Sequence, residues 1–200
     1  MNDRSQTRLN QGLAGLVLAA GPSTRLGRPK QLVLYRDSTL VQHVVNRALD
    51  FCGAGVVVVT GAHHEQVVAA LSGLSVEAVY NPDWRDGMGS SVRAGTIRID
   101  EKCQAIMLML CDQPGISRSH FSLLVDAWVS RPERIAAAEY AGTSGVPAIF
   151  PSIFREELIR LNGDEGAKRI IKSAQYVSTV KMPSAEFDID TPDDLSKLNS

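Results

Sequence analysis

The run Gly55-Val56-Val57-Val58-Val59-Thr60, closed by Gly61, constrains the fold more than any other stretch of the chain. Valine is stiff at χ1 and favours strands. An unbroken apolar run, rather than an alternating one, is expected of a central strand in a parallel sheet. Leu13–Leu18 and Ala105–Cys111 read the same way, and Val76–Tyr80, closed by Asn81-Pro82, is a further strand candidate. Helical stripes lie between them. Val41, Val44, Val45, Ala48 and Leu49 fall at i, i+3, i+4, i+7 and i+8, behind Asp37 or Ser38 as a cap. Phe121, Leu124, Val125 and Trp128 form a second stripe.

The first apolar run breaks at Gly21-Pro22, and the loop that follows carries Arg25, Arg28 and Lys30 with no acid between Gly21 and Arg36. Gly21 and Gly27 let backbone N–H groups approach a ligand, and Ser23 and Thr24 add hydroxyls. A glycine-containing, hydroxyl-rich, cationic loop behind an N-terminal strand has what polyphosphate binding requires. Taken alone, a basic surface turn has the same composition. The known phosphate motifs do not match. Five residues separate Gly21 from Gly27 and Arg28-Pro29-Lys30-Gln31 follows, so the Walker A pattern fails. Gly87-Met88-Gly89 has Val92 where a dinucleotide fingerprint needs its third glycine.

Three other segments carry chemistry. Trp84 to Gly95 places Gly87, Gly89, Ser90 and Ser91 at the start of a predicted helix, where free N–H groups and hydroxyls suit the polar edge of a nucleobase. The run Ala105–Cys111 ends in Asp112-Gln113-Pro114, and an acid at the carboxyl end of a buried strand lies where ligands bind. As a hard oxygen ligand, Asp112 could hold Mg²⁺ together with substrate phosphates. In Phe187-Asp188-Ile189-Asp190-Thr191-Pro192, capping of a final helix accounts for Thr191, Asp193 and Asp194. It leaves Asp188 and Asp190, which alternate on an expected short strand and face one side.

The remaining stretches read as scaffold. Ile135–Ala138 is an expected strand, Tyr140–Gly145 a loop and Val146–Phe150 an extended segment. Phe154–Leu161 reads as a helix stopped by Asn162-Gly163, and Asp164–Ala167 opens another that runs to about Lys172. His43 lies off its helical stripe and takes no role. His63-His64-Glu65 lacks a partner at i+4, so a metal reading is not favoured. Cys111 reads as a small buried residue, not a nucleophile.

Two hundred residues suit one domain, with residues 1–12 as a polar tail and 13–200 as the folded unit. A formal net charge of −1 gives no reason to expect nucleic-acid or anionic-membrane binding, so any electropositive site must be local. Three cysteines without metal-type spacing suggest neither a disulfide framework nor zinc. The first apolar run is too short to span a membrane and lacks signal-peptide flanks, so a cytoplasmic protein is expected.

In order and spacing, LAAGPSTRLGRPKQL, NPDWRDGMGSSVRAG, LMLCDQP, SGVPAIF with NGDEGAKRII, and FDIDTPDDL resemble the MobA-like nucleotidyltransferases. The resemblance runs from Gly15 to Leu198, and the GMGSS and DIDTP segments narrow it to the MocA-like branch. It implies a three-layer α/β/α Rossmann-like domain with a mostly parallel mixed sheet. It also implies Mg²⁺-dependent transfer of CMP from CTP to the molybdenum (molybdopterin) cofactor, with release of pyrophosphate. By the same resemblance Leu18, Ala19, Ala20, Gly21, Arg25 and Lys30 bind the nucleotide, with Arg25, Lys30 and Asp112 in catalysis. Gly89 and Ser90 contact the base, Ser91 and Asp112 also bind the nucleotide, and Asp112 and Asp190 hold Mg²⁺. Gln113, Gly145, Val146, Pro147 and Asp188 fall on the acceptor side. Relatives commonly carry His or another polar residue where Val146 stands, which leaves the acceptor open. A recipient molybdenum enzyme is an implied partner. The alternatives are a guanylyl- or other NTP transferase with a different phosphate acceptor, and a non-catalytic maturation chaperone that binds nucleotide and cofactor.

Overall fold

The computed structural model describes residues 11–164 and 166–198, so most of the expected tail and Glu165 lie outside it. Of that tail, Gly12 is tied down, its carbonyl accepting from the Gln104 N–H at 2.7 Å. The strands are β1 (Leu13–Ala19), β2 (Leu34–Tyr35), β3 (Ser38–Thr39), β4 (Val56–Thr60), β5 (Glu77–Tyr80), β6 (Ala105–Leu110), β7 (Ile135–Tyr140), β8 (Thr143–Pro151) and β9 (Val177–Lys181). The helices are α1 (Leu40–Phe51), α2 (His64–Ala70), α3 (Met88–Arg98), α4 (Arg118–Ser130), α5 (Arg155–Ile159), α6 (Lys168–Ser173) and α7 (Pro192–Leu198). Seven strands form one sheet in the order β5-β4-β1-β6-β8-β7-β9, with β2 and β3 a separate small ribbon. Only β8 runs against its neighbours in the large sheet.

β1 and β4 are buried along their whole length, as the valine run requires. The pleat sends alternate residues to opposite faces. Leu13, Val17, Val58, Met107 and Met109 pack on one side with Val45 of α1, Val67 of α2 and Phe121 of α4. On the other side Leu16, Leu18, Val57, Val59 and Leu108 pack with Val92 of α3, Leu158 of α5 and Ile170 of α6. That gives three α/β/α layers. Gly95 lets α3 lie directly on Leu16 and Val59, where any Cβ would collide. A third, smaller core of Leu26, Val33, Leu40 and Ile189 ties the cationic loop to the C-terminal segment.

Several expectations need correction. The cap of α1 is Thr39, not Asp37 or Ser38, because only Thr39 forms a reciprocal box with Gln42. Leu49 is 36% exposed, and Phe51 takes its place against the core. Tyr140–Gly145 is a hairpin, not a loop: Tyr140 pairs with Thr143 across Ala141 (φ 48°) and Gly142 (φ 70°). Two positive φ values match the right-handed twist of the flanking strands. Segment 187–190 pairs with no strand: Ile189 N–H donates to the Asp112 carbonyl at 3.0 Å and Asp190 N–H to Asp194 Oδ2 at 3.2 Å. Ile189 is still buried between the two aspartates, so the alternation holds without a ladder. β9 was not foreseen. Among the described residues, no helix is long and apolar enough to cross a membrane.

Candidate active site

The parallel strands β1, β4, β5 and β6 all end on one side, with Ala19 in register with Thr60, Thr60 with Tyr80, and Leu18 with Leu110. Ligands bind at that edge in open α/β sheets, and a cleft of about 710 Å³ opens there. The loop after β1 forms its floor and is held from behind. Gln31, fully buried, donates from Nε2 to the carbonyls of Ala19 (3.0 Å) and Gly21 (2.8 Å). Ala62 N–H donates to the Ala20 carbonyl at 3.1 Å, and His63 Nε2 bonds the Pro22 carbonyl at 3.1 Å. His63 therefore braces the loop, and its neighbour His64 bonds Thr60 Oγ1 at 2.7 Å. Ser23 Oγ accepts from Lys30 N–H at 3.0 Å, which sets the short turn that aims the Lys30 side chain.

Four charged groups meet at this floor. Lys30 Nζ bridges Asp112 Oδ2 (2.5 Å) and Asp190 Oδ1 (2.8 Å), and Arg25 Nη2 reaches Asp190 Oδ2 at 2.6 Å. Burial opposes charge on Lys30, but the Asp112 and Asp190 carboxylates outweigh it and hold the ammonium well above its ordinary pKa. The Lys30 hydrogen bond, aided by Arg25, holds Asp190 below the usual carboxylate range. Surrounding protein atoms and then the Asp112 charge push the Asp188 carboxyl up to about 7, although Asp188 keeps an exposed edge. Burial pushes the Cys111 thiol up to about 12, so it offers no thiolate.

Asp112 Oδ1 is buried and lacks a hydrogen-bond partner. An orphaned carboxylate oxygen beside a second carboxylate suits a hard divalent cation. Among the described residues no group of three or more metal-ligating side chains gathers; Mg²⁺ often takes one or two carboxylates and completes its shell with phosphates and water.

The other expected residues divide. Leu18, Ala19, Ala20 and Gly21 line the cleft, as do Ser91 and Asp112. Gly89 and Ser90 do not. Ser90 is fully buried, accepts from Asn81 Nδ2 at 2.9 Å and bonds the carbonyls of Asp83 and Gly87, so it bolts the helix start together. Gly89 is pressed on the Asn162 backbone. On the acceptor side, Gln113 donates to the Ala185 carbonyl at 2.8 Å and Gly145 packs under the Tyr140 hydroxyl. Val146 and Pro147 are extra residues without partners in β7. None of those four lines the main cleft.

Sequence reading missed the opposite wall. Trp84, Arg85, Met88 and Asp164 line it, with the Arg85 guanidinium 4.2 Å over the Trp84 ring. The only signal was that both segments hold glycines and acids near a helix start.

The model of the MobA-like NTP transferase domain matches residues 15–180. Nicotine blue oxidoreductase from Paenarthrobacter nicotinovorans is 32% identical, over 93% of this chain and 96% of that protein. Molybdenum cofactor cytidylyltransferase from Escherichia coli is 24% identical, over 90% of this chain and 91% of the other. Among solved structures, Rv0371c from Mycobacterium tuberculosis in complex with manganese superposes with a TM-score of 0.77 at 30% identity, covering 93% and 97% of the two chains.

Proposed function

The chain belongs to the MobA-like NTP transferase family, and from that premise we propose that it transfers CMP from CTP to the molybdenum (molybdopterin) cofactor, releasing pyrophosphate. One observation carries this reading: Arg25 and Lys30, from the loop after β1, meet Asp112 and Asp190, from distant segments, on the floor of a nucleotide-sized cleft. In such a transfer a phosphate oxygen of the acceptor attacks the α-phosphorus in line, that bond forms as the α–β bridging bond breaks, and pyrophosphate leaves with the electron pair. Charge on the triphosphate is the obstacle, so cations do the work and no covalent nucleophile is needed. Arg25 offers a planar fork to phosphate oxygens and Lys30 a point charge. Asp112 and Asp190 would hold Mg²⁺, which when bound supplies further charge neutralisation. The acceptor would enter past Gln113, Asp188 and the Gly145-Val146-Pro147 bulge of β8, and a molybdenum enzyme in the cytoplasm would receive the product. Likeness to the Escherichia coli cytidylyltransferase supports the choice of CTP and cofactor.

The relative named nicotine blue oxidoreductase favours a second reading, in which the same cleft serves an oxidation–reduction. Pyrophosphate release separates the two. With Mg²⁺ and a molybdopterin-type cofactor, CTP is expected to release pyrophosphate well above GTP, ATP and UTP. Release with GTP alone would keep the chemistry and overturn the base. No release with any nucleotide would overturn the transferase reading.

A further inference from the structure

The wall opposite the cations is built by one loop folding onto one helix. Gly89 N–H donates to the Gly163 carbonyl at 2.9 Å, and Arg93 Nη1 donates to Asn162 Oδ1 at 2.6 Å. A Cβ on Gly89 would lie 2.7 Å from Asn162 N, and one on Gly87 would lie 2.6 Å from Asp164 Oδ1. The two glycines of the GMG segment thus make room for residues 162–164 and bring the Asp164 carboxylate over the start of α3.

Among the described residues no donor reaches that carboxylate, although it lines the cleft. Ser91 lines the same wall. Its hydroxyl accepts from Asn81 Nδ2 at 3.0 Å and keeps its own proton for another acceptor. Trp84 and Met88 add apolar surface. The two ends of the cleft therefore differ: Arg25 and Lys30 stand at one, and at the other the Asp164 carboxylate and the Ser91 hydroxyl stand beside Met88 and Trp84, the latter capped by the Arg85 guanidinium 4.2 Å over its ring.

A triphosphate is repelled by a carboxylate, so Asp164 has no favourable use at the phosphate end. It does suit a ring amino group. Aspartate accepts from the 4-amino group of cytosine, whereas uracil presents an oxygen at that position and would set acceptor against acceptor. With uracil the two acceptors would face each other unpaired, and the site forgoes the bond that cytosine makes. We infer that Asp164 is the base-selecting residue, accepting from the exocyclic amino group of the nucleobase and rejecting uracil; this rests on the nucleotidyltransferase reading above.

The test measures binding of inorganic triphosphate, CTP and UTP with Mg²⁺ by calorimetry, in the wild type and in Asp164→Asn. Binding of inorganic triphosphate reports the cationic end alone. The expected wild-type result is CTP binding roughly tenfold to hundredfold tighter than UTP, the span one good base contact provides. Asn can turn its amide to donate, so Asp164→Asn should bring the two within about threefold through tighter UTP binding. Triphosphate binding with equal CTP and UTP affinity, or a preference unchanged in Asp164→Asn, would overturn the role of Asp164 and leave the transferase reading standing. Failure of inorganic triphosphate to bind would overturn both.

Discussion

At the scale of single residues, Lys30 is the pivot of the site. Its ammonium bonds two carboxylates at once, and the second cation of that group, Arg25, is largely solvent-exposed. Removing either Lys30 or Asp112 should lower turnover by roughly a hundredfold to a thousandfold or more, the range seen when one preorganised charge-stabilising group is lost. The two variants should differ in stability. Asp112→Ala leaves Lys30 paired with Asp190, whereas Lys30→Ala leaves Asp112 and Asp190 facing each other with their shared cation gone. Thermal unfolding should therefore show Lys30→Ala as the less stable of the two. Millimolar Mg²⁺ should raise its melting temperature more than that of the wild type, by mass action on the freed carboxylates. A Mg²⁺ response no larger than the wild type's would contradict the pairing of those two aspartates.

At the scale of elements, the contact between α3 and residues 162–164 shapes the cleft wall. Gly89→Ala forces a Cβ into backbone that cannot rotate away, so it should cost about 1–3 kcal/mol in denaturant unfolding; wild-type stability would mean the loop is not seated as described. Much at this scale was legible in the sequence. Valine runs and apolar stripes report burial directly, so β1, β4, β6, α1 and α4 could be read from local pattern. The unforeseen β9 lies at the sheet edge with only partly buried residues, so Val177–Lys181 carries neither signal. Ser90 misled for a related reason: a hydroxyl at a helix start looks alike whether it meets a ligand or its own turn. The cationic floor was legible because Arg25, Lys30, Asp112 and Asp190 stand out where a buried strand or a cap does not explain them. Trp84, Arg85, Met88 and Asp164 were not, because their convergence depends on a tertiary contact between segments about eighty residues apart.

At the scale of the whole molecule, the small third core couples the two ends of the chain. Leu26 and Val33 flank the turn that carries Lys30, and Ile189 sits between Asp188 and Asp190. Ile189→Ala should cost about 2–5 kcal/mol, as for other buried isoleucines. It should also lower kcat, because Asp190 loses the anchor beside it. Leu34→Ser, at a side chain 70% exposed on the β2–β3 ribbon, should stay within about 0.5 kcal/mol of the wild type and keep its kcat. Equal effects from the two substitutions would contradict a coupling role for that core. The proposed reaction breaks the α–β phosphoanhydride bond of a nucleotide and hands the nucleotidyl group to an acceptor. Following CTP labelled at the α- or the γ-phosphorus, with Mg²⁺ and molybdopterin-type cofactor, tests it directly. α-Label is expected in the cofactor product, γ-label in pyrophosphate, and neither with Lys30→Ala; γ-label released as orthophosphate, or α-label left wholly in CTP, would contradict that reaction.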